Sequence, residues 1–161
     1  MRPRWVLALL LALVAAVVVT GVVVRAGNAD RRADTLAARH GAVAAARTAL
    51  TRALSYKAAS VRADIAAAKP LLTGAFARQY AELATRAIIP TATRSGVSVH
   101  TSVSAAGVSS ATGHDRVEVL VFANQVTTTK AKSAPVVQGR RLLATMVRVG
   151  HAWRLAELTT V

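Results

Sequence analysis

The stretch VSVHTSVSA, residues 97–105, decides the fold. Val97, Val99, Thr101, Val103 and Ala105 fall on one face, and Ser98, His100, Ser102 and Ser104 on the other. A period of two with one apolar side marks a half-buried strand, and the period sets in from Thr93. Downstream, Gly113-His114-Asp115 supplies a turn, and RVEVLVFANQVTT (116–128) supplies a second strand, apolar on both faces in its middle. Residues 130–138, with Pro135, read as a loop. Residues 140–149 read as a third strand, and Gly150-His151 turns into a fourth over 153–160. Four strands joined by short turns predict an antiparallel meander.

Upstream the period lengthens to that of a helix. Thr73 caps a segment in which Phe76, Tyr80, Leu83 and Ala87 recur at i, i+4, i+7 and i+11, and Pro90 ends it. A second helix starts at Ser60, carries Val61 and Ile65 on one face and stops at Lys69 before Pro70. The first covers 30–56, with Asp30 as N-cap and Leu36, Val43 and Leu50 at every seventh position, joined by Leu54. Alanine, the strongest helix former, pads that thin stripe. Gly27-Asn28 and Gly41 argue against an unbroken rod. Three helices followed by a four-stranded sheet predict an α+β domain, with helices on one face of a curved sheet.

Residues 5–24, WVLALLLALVAAVVVTGVVV, carry no charge over twenty residues. At about 1.5 Å per residue such a helix spans roughly 30 Å, the thickness of a bilayer core. Arg2 and Arg4 precede it, Arg25 closes it, and Trp5 suits the interface. Small residues at Ala26 and Ala29 would suit a signal-peptidase site. The run nevertheless exceeds the roughly 7–15 residues of a signal-peptide core, so a permanent anchor is expected. Trp5, Leu9, Leu13, Val17 and Val24 then mark the anchor, and Arg25, Arg31 and Arg32 either stop the helix from sliding into the bilayer or meet anionic headgroups. Local counting sets Arg2 and Arg4 against Arg25, Arg31, Arg32 and Arg39 on the far side. Long domains translocate largely regardless of flanking charge. The expected organisation is a cytoplasmic tail (1–4), an anchor (5–25), a juxtamembrane Ala/Arg-rich helix (26–58) and an extracytoplasmic α+β domain (59–161). The juxtamembrane helix either packs on that domain or extends from it.

Composition bounds the function. Among 161 residues, 53% are hydrophobic, which excludes a disordered chain. The absence of cysteine excludes a disulfide scaffold and a thiolate metal site. Lys and Arg number 21 against 7 Asp and Glu, a formal charge of +14. The positive charges are scattered, and the aromatics beyond the anchor are Tyr56, Phe76, Tyr80, Phe122 and Trp153. That pattern lacks the basic stripe and stacking platforms of a nucleic-acid binder.

Catalytic templates fail in turn. His40, His100, His114 and His151 sit on different elements without metal-ligand spacing. The stretches around Ser98 and Ser109 lack the last glycine of a nucleophile elbow. No glycine-rich loop offers a phosphate cradle. Asp64 and Glu118 are the carboxylates with a chance of pointing inward. Each also reads as a surface charge, Asp64 paired with Arg62 or Lys57 and Glu118 with Arg116 or a cross-strand Arg. No catalytic residue, metal or cofactor is expected.

The order of these pieces resembles the Mce-associated (mammalian-cell-entry-associated) membrane proteins of actinobacteria. The resemblance rests on the anchor and the Ala/Arg-rich helix, then Leu54-Ser55-Tyr56, Leu71-Leu72-Thr73-Gly74-Ala75-Phe76 with Tyr80, and Ile89-Pro90. It continues through Ala105-Ala106-Gly107-Val108, 119–125 (VLVFANQ) with Thr127-Thr128, Met146-Val147-Arg148, Trp153 and the closing 158–161 (LTTV). Lys57-Ala58-Ala59 departs from the acidic or aromatic residue the family often carries after the tyrosine. The resemblance implies a cone similar to the nuclear-transport-factor or cystatin-like fold and to the periplasmic scaffold subunit of type IV secretion systems. It also implies association with Mce complexes, which import lipids, and no catalytic residues.

Three readings stand side by side. One is a membrane-anchored, non-enzymatic accessory protein that stabilises lipid-importer subunits. The second is an extracytoplasmic lipid-binding module, its pocket lined by Phe76, Tyr80, Val99, Val121 and Trp153, with Val97, Val103 and Val119 nearby. Against it, Phe76, Tyr80 and Trp153 read first as core, the first two seating the third helix on the sheet and Trp153 filling the last strand. The third is an enzyme built on Asp64 or Glu118. Self-association through Leu36, Val43 and Leu50 is compatible with each.

Overall fold

In the computed structural model, residues 34–161 are described, and Ala38–Val161 form one compact unit. Helix α1 covers residues 34–53 and passes through Gly41 without a break. Its buried face is made of alanines: Ala42, Ala46, Ala49 and Ala53 are at most 3% exposed, joined by fully buried Leu50. The expected stripe is not that face, for Leu36 is 54% exposed and Val43 only half-buried. Alanine side chains let the helix backbone approach the sheet closely. Gly41 carries this furthest, since a Cβ there would stand 3.2 Å from Trp153 Nε1.

The helix stops three residues short of its expected end at 56. Tyr56 instead joins the sheet edge, its N–H donating to Val99 O and its carbonyl accepting from Val99 N–H, both at 2.8 Å. Helix α2 (Val61–Ala68) buries Val61 and Ile65, as their spacing predicts. Lys69–Leu71 add a 3-10 turn that carries Pro70. Helix α3 (Gly74–Leu83) follows Thr73, and Gly74, at φ +63°, makes the corner that a side chain would strain.

Pro90 does not end this helical run. A π-helical turn, Ala84–Ile88, leads into α4 (Ile89–Ser95), with Pro90 in its first turn. The wider turn carries the proline ring past the carbonyl it would otherwise strike. The run ends at Gly96, in the left-handed conformation typical of a helix terminus. Residues 93–95 are therefore helical rather than the opening of the strand.

The strands are β1 (Ser98–Thr112), β2 (Arg116–Thr129), β3 (Lys132–Val149) and β4 (Ala152–Thr160), antiparallel in the order β1-β2-β3-β4. The α+β meander and the turn at Gly113-His114-Asp115 agree with the sequence reading. Two details differ. Ser104 is an extra residue between the pairs Val103↔Ala123 and Ala105↔Phe122, so beyond this bulge Ala106 turns inward and Ala105 is exposed. Residues 132–138 belong to β3 and not to a loop, despite Pro135. The proline sits between the pairs Thr127↔Val136 and Thr129↔Lys132, where the register slips. Since β4 pairs with β3 only from Leu142 onward, the other side of Pro135 has no neighbouring strand among the described residues, the setting in which a missing N–H is tolerated.

The core lies between the helices and the inner face of the sheet. Val117, Val119 and Val121 of β2 are at most 1% exposed, and Ala144, Met146 and Leu155 are fully buried. Among the described residues no helix is long and apolar enough to cross a membrane, and the expected anchor at 5–24 lies outside them.

Candidate functional site

At the opposite end of β2 from that core lies a groove of about 540 Å³. Four stretches wall it: Thr51, Arg52 and Ser55 to Lys57 from the last turn of α1 into the link, Asp64 and Ala67 on α2, the start of β1, and Val126 and Thr128 of β2. The pairs Ser98↔Thr128 and His100↔Val126 set the two strands in register there. Much of the surface is hydrocarbon from Tyr56, Ala67, Val99 and Val126.

Side-chain hydrogen bonds hold the link against the sheet. Ser55 Oγ accepts the N–H of Thr101, and Ser98 Oγ accepts that of Ala58, each at 2.9 Å. Thr101, fully buried, donates its hydroxyl to Leu54 O at 2.7 Å and accepts from Gln125 Nε2 at 3.3 Å. Asp64 Oδ2 accepts both the Lys57 N–H and the Ser60 hydroxyl at 2.9 Å. The carboxylate therefore closes the loop between α1 and α2, rather than pairing with the side chain of Arg62 or Lys57. The Tyr56 hydroxyl has no hydrogen-bond partner among the described residues, and burial raises its pKa above 10.0. Ion pairs among the described residues are Arg86–Glu82 and Arg116–Glu157, which leaves Arg52 and Lys57 without a carboxylate partner.

Of the five residues expected to line a pocket, Val99 borders this groove. Val121 is fully buried in the core. Tyr80 is 5% exposed and donates to Ala53 O at 3.1 Å. Its pKa is pushed up to about 12 by burial first, and then by the negative charge of Asp64 and the Tyr56 hydroxyl. Phe76 packs beside it with ring centroids 6.5 Å apart, and Trp153 lies against Gly41. Glu118 points to neither core nor groove; it accepts the Ser110 hydroxyl at 2.6 Å at an exposed position. The four histidines are exposed, and among the described residues no three His, Asp or Glu side chains converge on a metal-sized site. Trp5, Leu9, Leu13, Val17, Val24, Arg25, Arg31 and Arg32 lie outside the described residues.

The sequence reading passed over Arg52, Ser55 and Ser98 as members of a site. Ser98 was visible as part of the polar face of β1, but Ser55 and Thr101 stand 46 positions apart, and no local pattern joins them.

No protein-family model matches the chain. It is 33% identical over 128 residues to the outer membrane protein Rv1973 of Mycobacterium tuberculosis, an alignment covering 80% of this chain and 79% of that one. Among solved structures, a periplasmic fragment of TraM superposes with a TM-score of 0.62 at 14% identity, over 75% of this chain and 95% of the fragment. CagV of Helicobacter pylori, a VirB8 homologue of a type IV secretion system, superposes with a TM-score of 0.59 at 9% identity, over 74% of this chain and 95% of its own. At such identities the likeness is one of fold.

Proposed function

The chain belongs to the family of the mycobacterial outer membrane protein Rv1973, and from that premise we propose that it is a membrane-anchored, non-enzymatic accessory protein of the cell envelope. Its partners are the subunits of an Mce lipid-import complex, which it stabilises. The observation that carries the reading is the relationship to a named envelope protein over four fifths of the chain. Support also comes from a fold in common with the periplasmic fragment of TraM and with CagV. Exposed apolar side chains on the sheet, Phe122 at 44% and Val137 at 66%, suit contact with protein partners. The uncharged stretch at 5–24 supplies the anchor, and residues 26–161 lie outside the cytoplasmic membrane.

The test is affinity purification of the full chain, tagged at the C-terminus, from gently solubilised native membranes, followed by mass spectrometry. Recovery of Mce subunits in stoichiometric amount is the expected result. Recovery of the chain alone, under conditions where the importer itself stays assembled, would overturn the reading. The groove beside Tyr56, with its hydrocarbon walls, favours a second reading as an extracytoplasmic lipid-binding module.

A further inference from the structure

We propose that the groove beside Tyr56 binds a single-chain amphipathic monoanion, an acyl chain ended by a carboxylate, with the carboxylate at Arg52 and Lys57 and the chain along the hydrocarbon part of the groove wall. This rests on the lipid-binding reading for the acyl part and adds the charge, the location and the residues.

Its volume, about 540 Å³, is in the range of small-ligand sites, roughly 300–1,000 Å³. Cationic and hydroxyl donors on the wall outnumber its one carboxylate, Asp64. Ser55 Oγ and Ser98 Oγ each accept a backbone N–H already, so each hydroxyl keeps a proton without an acceptor among the described residues. The Tyr56 hydroxyl is a further donor in the same position, and Arg52 and Lys57 bring cationic donors without carboxylate partners. Donors gathered beside hydrocarbon call for a ligand that brings acceptors and a negative charge at one end and an apolar body behind it.

Asp64 sets how much charge. Its Oδ2 is taken by Lys57 N–H and the Ser60 hydroxyl, so the carboxylate stays in the wall as a fixed negative charge. Arg52 and Lys57 against Asp64 leave one formal positive charge on the wall, which a singly charged headgroup balances and a dianionic phosphate monoester overshoots.

The test is photolabelling of the full chain in lipid nanodiscs with a dodecanoate that carries a diazirine on its terminal carbon, the labelled residues being mapped by mass spectrometry. The expected label falls within 64–67, 98–100 and 126–128, not at the carboxylate end beside Arg52. Unlabelled dodecanoate competes at least tenfold better than dodecanol or dodecylamine, and better than dodecyl phosphate. Arg52→Gln and Lys57→Gln, both at exposed positions, each lower the labelling about tenfold while the circular dichroism spectrum is unchanged. Ala67→Phe, which fills the groove from the exposed side of α2, removes the label. Label confined to 5–24 would overturn this proposal and the lipid-binding reading together. Label in the groove that dodecanol displaces equally well, and that both Gln variants leave unchanged, would overturn the anion site alone. Preferential displacement by dodecyl phosphate, or by an acetylated acidic tetrapeptide, would also overturn it.

Discussion

The two halves of β2 make opposite use of one strand. From Val117 to Ala123, alternate side chains are at most 2% exposed, β1 and β3 flank the strand, and helices cover one face. From Gln125 to Thr129 the residues are mostly half-buried, β4 no longer extends the sheet, and Val126 and Thr128 open into the groove. The first half is held by hydrocarbon packing, with alanines bringing α1 close. The second is held by side-chain hydrogen bonds, Gln125 to Thr101 to Leu54 and the Thr101 N–H to Ser55 Oγ. A small domain can thus keep its packed core and an open groove on different ends of the same sheet.

Substitutions on the two ends should therefore separate cleanly. Leu50→Ala, at a fully buried position against the packed half, should cost about 2–5 kcal/mol, read as a lower urea midpoint. Arg52→Gln two residues on should leave the midpoint within about 0.5 kcal/mol. Equal losses would erase the distinction between the halves. Ala46→Leu should cost about 1–3 kcal/mol, because the alanine face has no room for a larger side chain. A neutral result would mean that α1 can move off the sheet.

Tyr80 joins the two ends, and its removal should have a smaller effect. Tyr80→Phe deprives the Ala53 carbonyl of its donor and should cost about 1 kcal/mol at neutral pH. The folded state also holds the phenol's pKa at about 12 against 10.0, favouring the neutral form. The stability this brings is full below pH 10 and is lost as pH rises towards 12. Urea midpoints between pH 9 and pH 12 should fall more steeply for the parent than for Tyr80→Phe. Parallel curves would place the titration elsewhere.

The packed half was the more legible in sequence. The alternation of β1, the turn at Gly113-His114-Asp115 and the Val61/Ile65 face of α2 each follow from local chemistry. The buried face of α1 did not stand out because 36 of the 161 residues are alanine, so an alanine stripe carries no contrast while the scattered Leu36 and Val43 do. Pro90 and Pro135 misled for a shared reason: each breaks a regular element, and here a π turn and a register slip at an unpaired edge absorb the break. The groove was illegible because four stretches build it, and its serines are engaged by backbone groups far along the chain.

The claim that the chain stabilises an Mce importer is tested most directly by quantitative mass spectrometry of membranes from cells with and without it. The account predicts that importer subunits fall several-fold when the chain is deleted and recover when the full chain is restored. Unchanged subunit levels together with unchanged lipid uptake would contradict it.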